Sequence, residues 1–282
     1  EKTITMASLL SRFQASMVLA AVGDAVGFKG GRWEFLKDGE IIHKQFKELG
    51  GFAGLDVSSK RKWMVSDDTV MHLATAETLT DSKAAKLTDK QLFTLMTKNY
   101  EISMSDMNGR GPGLKCISSL NMLEGRPELW DQMPYDKAGG GCGGSMRAMC
   151  IGLRFAGAQN RKDLIKTAVE SGRITHNHVN GFMGAVVAAA FTAYAIEGIP
   201  AIQWGHLLIN ELIPQCDQYL QETKRDYTQI KMDMKNFEAK FLQYLKERNV
   251  VDGKSEPTFP DNYGVPERDI FYKKWSYNGW AG

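Results

Sequence analysis

Apolar side chains along this chain recur at intervals of three and four residues, which is the spacing of one face of an α-helix. The pattern predicts helices over residues 9–26, 41–49, 91–104, 118–123, 161–172, 180–196, 201–213 and 227–248, and a further helix that begins near residue 66. No segment alternates with the period of two that marks a half-buried strand. The predicted fold class is therefore all-α, a single compact multi-helix bundle. Residues 1–282 are predicted to form one domain, because no linker-like segment or internal repeat divides them.

The helix predicted at residues 180–196 is rich in small side chains, Gly181 and Gly184 among them, which permit close approach of a neighbouring helix. We expect this helix to be central and fully buried. The longest apolar run, residues 181–196, is shorter than the roughly 20 residues that a membrane span needs, so no membrane partner is predicted. Pro214 is expected to end the helix at 201–213.

Composition narrows the class of protein without identifying it. Hydrophobic residues make up 43% of the chain and charged residues 24%, which is ordinary for a soluble globular protein. The net charge is +2 and the basic residues are scattered, so no nucleic-acid partner is expected. The four cysteines form no Cys-x-x-Cys pair, and the N-terminus has no signal-peptide pattern. We therefore expect a reduced, cytoplasmic protein, and a monomer.

Two adjacent carboxylates, Asp67 and Asp68, stand between the hydroxyls of Ser66 and Thr69 at the start of a predicted helix. One interpretation is that Ser66 or Asp67 caps the helix and Asp68 complements its dipole. The other is a metal site, since clustered hard oxygen donors suit Mg²⁺, Ca²⁺ or Mn²⁺ rather than zinc. The local pattern alone leaves both interpretations open.

A glycine-rich segment, residues 139–144, runs into a predicted helix over residues 145–153. Such a loop can hold phosphate, because backbone N–H groups approach an anion without side chains in the way. Gly139, Gly141 and Gly144 formally satisfy G-x-G-x-x-G, but no strand precedes them, which argues against a dinucleotide-binding Rossmann domain. A merely flexible loop is the alternative.

Three other places carry candidate chemistry. His176 and His178 form a His-x-His pair that lacks the further ligands of a zinc site, so a structural role is the simplest interpretation. Glu34 lies in a glycine-containing loop, where a solvated carboxylate is the ordinary expectation. Tyr277 belongs to an aromatic cluster at residues 271–280 that either covers the helices beneath it or stacks on a base.

Several segments together resemble the ADP-ribosylglycohydrolase family, in particular its ADP-ribosylarginine hydrolase branch. The resemblance centres on VSDDTVMHLATAE at residues 65–77, with Trp63 before it. The other segments that agree, in the same order, are residues 23–27, 31–35, 141–154, 171–178, 203–205 and 275–280. They span nearly the whole chain.

The resemblance implies an all-α fold and hydrolysis of the N-glycosidic bond between ADP-ribose and arginine on ADP-ribosylated proteins. It implies two Mg²⁺ ions as cofactors, with Asp67, Asp68 and Glu34 as catalytic residues. The implied metal ligands are Ser66, Asp67, Asp68 and Thr69. The implied substrate-binding residues, which hold the diphosphate, the nucleotide and the adenine, are Gly141, Cys142, Gly143, Gly144, Ser145, His176 and Tyr277. The expected partners are ADP-ribosylated arginine proteins and ADP-ribose.

This sequence departs from the family pattern in one respect. The family carries a second acidic motif, Gly-Gly-Asp-x-Asp-Ser/Thr, near the C-terminus, and the sequence up to Gly282 does not contain it. Its absence leads us to expect a chain that lacks the C-terminal part of the domain, either as a fragment of an active enzyme or as a shortened relative. The intact Asp67-Asp68 pair favours the fragment. The alternatives are an inactive ADP-ribose-binding or structural protein and a hydrolase of serine-linked ADP-ribose.

Overall fold

The computed structural model describes residues 6–57 and 63–276. Those residues contain twelve α-helices and no β-strand, so the all-α prediction is confirmed. The helices are α1 Met6–Phe28, α2 Gly39–Glu48, α3 Asp67–Ala85, α4 Asp89–Ser103, α5 Leu114–Met122, α6 Met149–Arg154, α7 Arg161–Thr175, α8 Val179–Glu197, α9 Ala201–Leu207, α10 Ile213–Thr223, α11 Tyr227–Glu247 and α12 Val265–Ser276. The prediction of a single domain stays a prediction.

Several helices begin and end within two residues of their predicted bounds, namely α2, α4, α8 and α11. The helix predicted at 118–123 begins earlier, at Leu114, where Gly113 precedes its first turn. The last helix, α12, was not predicted, because its apolar side chains are spread around the helix rather than gathered on one face.

The prediction that Pro214 ends a helix is wrong. A π-helical segment, Leu208–Leu212, follows α9 directly, and α10 then continues from Ile213 with Pro214 in its first turn. Proline is tolerated there because the first N–H groups of a helix have no partner within that helix.

Helix α8 forms the centre of the core, as predicted, and packs chiefly against α6 and α7. Its side chains Phe182, Met183 and Val186 are completely buried. The expectation of full burial is wrong, because α8 also has an exposed side, for example at Ala195. The small residues allow close contact: a Cβ atom added to Gly152 of α6 would lie 2.0 Å from a carbonyl oxygen of α8.

Among the residues that the structure describes, two helical stretches are long and apolar enough to cross a membrane by length and composition alone. One is α8, the core helix. The other is Leu9–Gly31, which overlaps α1 near the N-terminus and is mostly exposed. A buried core helix passes the same test, so the predicted absence of a membrane partner and the cytoplasmic location stay predictions.

The C-terminal part of the described chain supports the loop that carries Glu34. Helix α12 packs on α2, where the Gly39 N–H donates to Asp269 Oδ2 at 2.9 Å. Helix α2 in turn carries Gln45, whose Oε1 accepts a hydrogen bond from Trp33 Nε1 at 2.8 Å. The residue before Glu34 is thus anchored to the helical scaffold.

Candidate active site

The N-terminus of α3 carries the paired carboxylates, Asp67 buried and Asp68 partly buried. Ser66 caps the helix, because its Oγ accepts a hydrogen bond from the Asp68 N–H at 3.1 Å. This agrees with the capping interpretation and does not exclude a metal, since the hydroxyl oxygen has a second lone pair. Asp67 is buried, and the Gly113 N–H donates to its carboxylate.

Asp24 of α1 organises this helix start and was missed as a site residue. Its carboxylate accepts from the Ser66 N–H at 3.0 Å, from the Thr69 N–H at 3.2 Å and from the Thr69 hydroxyl. The Thr69 hydroxyl therefore donates to Asp24 and keeps its oxygen lone pairs for another partner. The Gly-Asp-Ala-Val-Gly segment around Asp24 was a signal that could have identified it.

Four carboxylates influence one another at this place. Burial, followed by the charges of Asp68 and Asp24, raises the pKa of Glu34 to about 7. Burial, followed by the charges of Asp67 and Asp24, raises the pKa of Asp68 to about 7. Burial also raises the pKa of Asp67 to about 6. The structure thus brings Glu34, which is distant in sequence, to the paired aspartates, and their mutual repulsion makes the cluster receptive to cations or protons.

Two loops hold the cluster in place. The first contains Trp33, which is buried and lies edge-on to Trp63 with ring centroids 6.1 Å apart. The second covers residues 107–113, where Arg110 Nη1 donates to the Val65 carbonyl at 2.8 Å and the Asp67 N–H donates to the Arg110 carbonyl at 3.2 Å. The backbone on either side of the paired aspartates is therefore fixed.

The glycine-rich loop lies against His176. A Cβ atom on Gly143 would lie 2.4 Å from Cε1 and 2.9 Å from Nε2 of that imidazole. A Cβ atom on Gly144 would lie 2.7 Å from the carbonyl oxygen of Gly181 in α8. These glycines are required by close packing, and the loop is not merely a flexible connection.

The loop does not run directly into a helix, so that prediction is wrong. Residues 142–144 form a 3-10 turn, and α6 begins only at Met149 and is six residues long. Ser145 lies in the intervening turn, where its Oγ donates to the Cys142 carbonyl at 2.7 Å. Support for an anion must therefore come from groups other than the end of a long helix.

The loop and the carboxylates belong to one region. Burial, followed by the charge of Asp68, raises the pKa of the Cys142 thiol to about 11, so the two side chains are within electrostatic reach of each other. Gly141 also contacts the imidazole, because a Cβ atom there would lie 3.6 Å from His176 Nε2. The carboxylates and the glycine loop, with the buried His176 beneath it, therefore lie in one region of the structure, which we call the cleft.

The two histidines differ in role. His178 caps α8, and its Nδ1 accepts from the Asn180 N–H at 3.1 Å, which agrees with the structural interpretation. His176 is buried beneath the glycine loop, and burial, followed by the charges of Arg147 and Lys115, lowers its pKa to about 3. It is therefore neutral at physiological pH. Tyr277 lies outside the described residues.

This chain belongs to the ADP-ribosylglycohydrolase family, whose family model matches residues 5–281. The resemblance to this family noted in the sequence is thereby confirmed. The chain is 35% identical over 288 residues to ADP-ribosylhydrolase ARH1 of Dictyostelium discoideum, an alignment that covers 95% of this chain and 73% of that protein. It is 29% identical over 234 residues to a putative ADP-ribosyl glycohydrolase of Acanthamoeba polyphaga mimivirus, covering 80% of this chain but only 45% of that protein.

Proposed function

We propose that the chain hydrolyses the N-glycosidic bond between ADP-ribose and the guanidinium of arginine on ADP-ribosylated proteins. The observation that carries this proposal is the cleft, in which mutually repelling carboxylates adjoin a tightly packed glycine loop. The name of the Dictyostelium relative, ADP-ribosylhydrolase, supports the reaction class. The choice of arginine rests on the resemblance to the ADP-ribosylarginine hydrolase branch.

The chain's own residues have separate tasks in this reaction. The glycine loop, whose backbone is fixed by the packing of Gly143 on His176, holds the diphosphate of the substrate through backbone N–H groups. Glu34, which is not among the proposed metal ligands and whose pKa is raised to about 7, is suited to take a proton from the attacking water at neutral pH. The ribose C1′–N bond breaks through an oxocarbenium-like transition state, and the water oxygen forms the new bond to C1′. Arginine leaves as a neutral guanidine, which then takes up a proton.

The donor set fits Mg²⁺ in its chemistry. Asp67 and Asp68, with the hydroxyl oxygens of Ser66 and Thr69, supply the hard oxygens that this ion prefers. Burial, followed by mutual repulsion, raises the pKa values of these carboxylates, and a divalent cation would offset both effects. In the part of the chain that the structure describes, no three His, Cys, Asp or Glu side chains are grouped as ligands of one ion, so these residues supply only part of a shell. When bound, the two proposed ions would polarise the ribose hydroxyls and lower the pKa of a water.

The test is release of ADP-ribose from an arginine-ADP-ribosylated protein, compared with a serine-ADP-ribosylated one, in Mg²⁺ and in EDTA. We expect release from the arginine substrate only, and only with Mg²⁺. Release from the serine substrate alone would show that the acceptor is serine rather than arginine. Absence of release with retained ADP-ribose binding would show that the chain binds ADP-ribose without hydrolysing the bond.

Substitution of the paired aspartates tests their part in the reaction. Asp67→Asn and Asp68→Asn should each abolish release with little change in thermal stability. Asp81→Asn is the matched control, because Asp81 lies near the other end of the same helix and is exposed. Near-normal turnover of either cluster variant would refute the assignment of that residue.

A further inference from the structure

Arg147 is a completely buried guanidinium beneath the glycine loop. The hydrogen bonds that it donates within the described residues all go to neutral acceptors: Nη2 to the Ser171 carbonyl at 2.5 Å and to Thr175 Oγ1 at 2.9 Å, and Nη1 to Met71 Sδ at 3.9 Å. Its Nε has no partner among the described residues, and its Cζ lies 4.1 Å from the centroid of the Tyr100 ring. A buried cation satisfied only by neutral groups calls for a specific explanation.

The hydrogen bond from Arg147 determines what Thr175 can do. A guanidinium has donors only and does not lose its proton in proteins, so Thr175 Oγ1 must accept from Nη2. Thr175 Oγ1 also lies 2.8 Å from Nδ1 of His176. Its single proton is then available for that nitrogen.

Cys116 is the competing acceptor for the Thr175 hydroxyl, because its thiol lies within hydrogen-bonding reach of Thr175. Burial raises the pKa of that thiol, so it stays protonated and can itself donate. Sulfur is a weak acceptor, whereas an imidazole nitrogen is a good one. The hydroxyl proton of Thr175 therefore goes to Nδ1 of His176, and the thiol can use the remaining lone pair on Oγ1.

Because Nδ1 is unprotonated, the protonation of the other ring nitrogen, Nε2, is also determined. A neutral imidazole carries one proton, so in His176 that proton is on Nε2. Nε2 faces the glycine loop, 2.9 Å from the position of a Cβ on Gly143 and 3.6 Å from that on Gly141. The loop thus has an N–H donor at its base with a buried positive charge behind it.

We propose that Arg147 is a positioning residue, which acts through Thr175 to hold His176 in the Nε2–H tautomer and thereby makes the glycine loop a donor-lined site for a phosphate group. For ADP-ribose as the ligand, this inference rests on the proposed function. The anion would supply the charge that Arg147 lacks among its direct partners. The relay of Arg147, Thr175 and His176 connects the buried core to the cleft.

The tautomer is tested by long-range ¹H–¹⁵N NMR on the full chain labelled in its histidines, with the His176 signals assigned from His176→Gln. In the unsubstituted protein we expect a protonated Nε2 and an unprotonated Nδ1. Thr175→Val removes the hydroxyl at nearly constant shape and should abolish this preference, while Thr175→Ser should restore it. Thr167→Val is the matched control, because Thr167 is also buried in α7 and its hydroxyl has no partner among the described residues. A protonated Nδ1 in the unsubstituted protein, or a preference unchanged in Thr175→Val, would overturn the relay.

The anion site is tested by calorimetry with ADP-ribose and with inorganic pyrophosphate. Thr175→Val should weaken both by roughly tenfold, since a hydrogen bond to a charged group is lost. Thr175→Ser and Thr167→Val should bind as the unsubstituted protein does. Unchanged affinity in Thr175→Val, or no binding of either ligand to the unsubstituted protein, would overturn the inference. These readouts need no turnover, so a failure of the proposed hydrolysis would be recognised separately by the release assay.

Discussion

Replacing Gly143 by alanine would place a methyl carbon 2.4 Å from Cε1 of His176 and 3.0 Å from Sγ of Cys116. Non-bonded carbon atoms pack at roughly 3.5 to 4.0 Å, so the imidazole would have to move by about 1 Å. Overpacking of a well-packed site typically costs about 1–3 kcal/mol. We expect Gly143→Ala to lose about that much stability. We also expect it to bind ADP-ribose roughly tenfold more weakly, because Nε2–H is displaced from the loop.

The matched control is Gly141→Ala, two residues away in the same loop. Its Cβ would lie 3.6 Å from His176 Nε2, an ordinary contact, and Gly141 has a φ of −75°, which alanine adopts without strain. Thermal unfolding and calorimetric titration with ADP-ribose should therefore give nearly unchanged values for this variant. The reasoning is refuted if Gly143→Ala behaves like the unsubstituted protein in both assays. It is also refuted if Gly141→Ala loses affinity while Gly143→Ala does not, since the ligand would then approach the loop away from His176.

Three further predictions concern the carboxylates and the core. Asp24→Asn should lower turnover by roughly tenfold or more, because its amide group would face donors on Ser66 and Thr69; equal turnover in the release assay would contradict this. In EDTA the contribution of these carboxylates to stability should fall as pH rises from about 5 to about 8, because their raised pKa values make them bind more protons in the folded chain than in the unfolded chain. Asp68→Asn should flatten this trend in thermal unfolding, and a parallel curve would contradict it. Gly152→Ala should lose roughly 3 kcal/mol in denaturant unfolding, since its Cβ would lie 2.0 Å from a backbone oxygen of α8; an unchanged midpoint would refute the close packing.

Helix positions could be predicted where the apolar pattern had one clear face or was unusually rich in small residues. Helix α11 satisfies the first condition and α8 the second, and both were predicted within two residues of their bounds. Helix α12 satisfies neither condition, since its apolar side chains have no clear face. It is supported by contacts with α2, which the sequence does not reveal. The role of Pro214 was wrongly predicted because a proline after the last turn of one helix and a proline in the first turn of the next look alike, and the helix that follows it was not predicted.

The candidate site was predictable where its residues are neighbours in sequence, as in the Asp67-Asp68 pair and the glycine loop. It was not predictable where a partner arrives from elsewhere in the fold. Asp24 reaches the helix start from 42 residues before Ser66, and Arg147 reaches Thr175 from 28 residues before it. The glycines on either side of Asp24 mark it as a candidate residue but do not specify its contacts, and an arginine between two methionines gives no local signal.

The cleft has an acidic end at Asp67 and Asp68 and a hydrogen-bond donor end at His176. The thiol of Cys116 is influenced by the charges of both the aspartates and Arg147. Burial raises the pKa of this thiol, the charge of Arg147 opposes that effect, and the charges of Asp67 and Asp68 add to it. For the proposed substrate, the diphosphate is attracted to the Arg147 end, and the cationic arginine is attracted to the carboxylates. The charges of Arg147 and Lys115 help burial to keep His176 neutral, so its single proton on Nε2 serves the phosphate as a hydrogen-bond donor and the positive charge stays on the basic side chains. In the reversed orientation the diphosphate would face the carboxylates and the arginine would face Arg147. The charge distribution of the cleft thus disfavours that orientation.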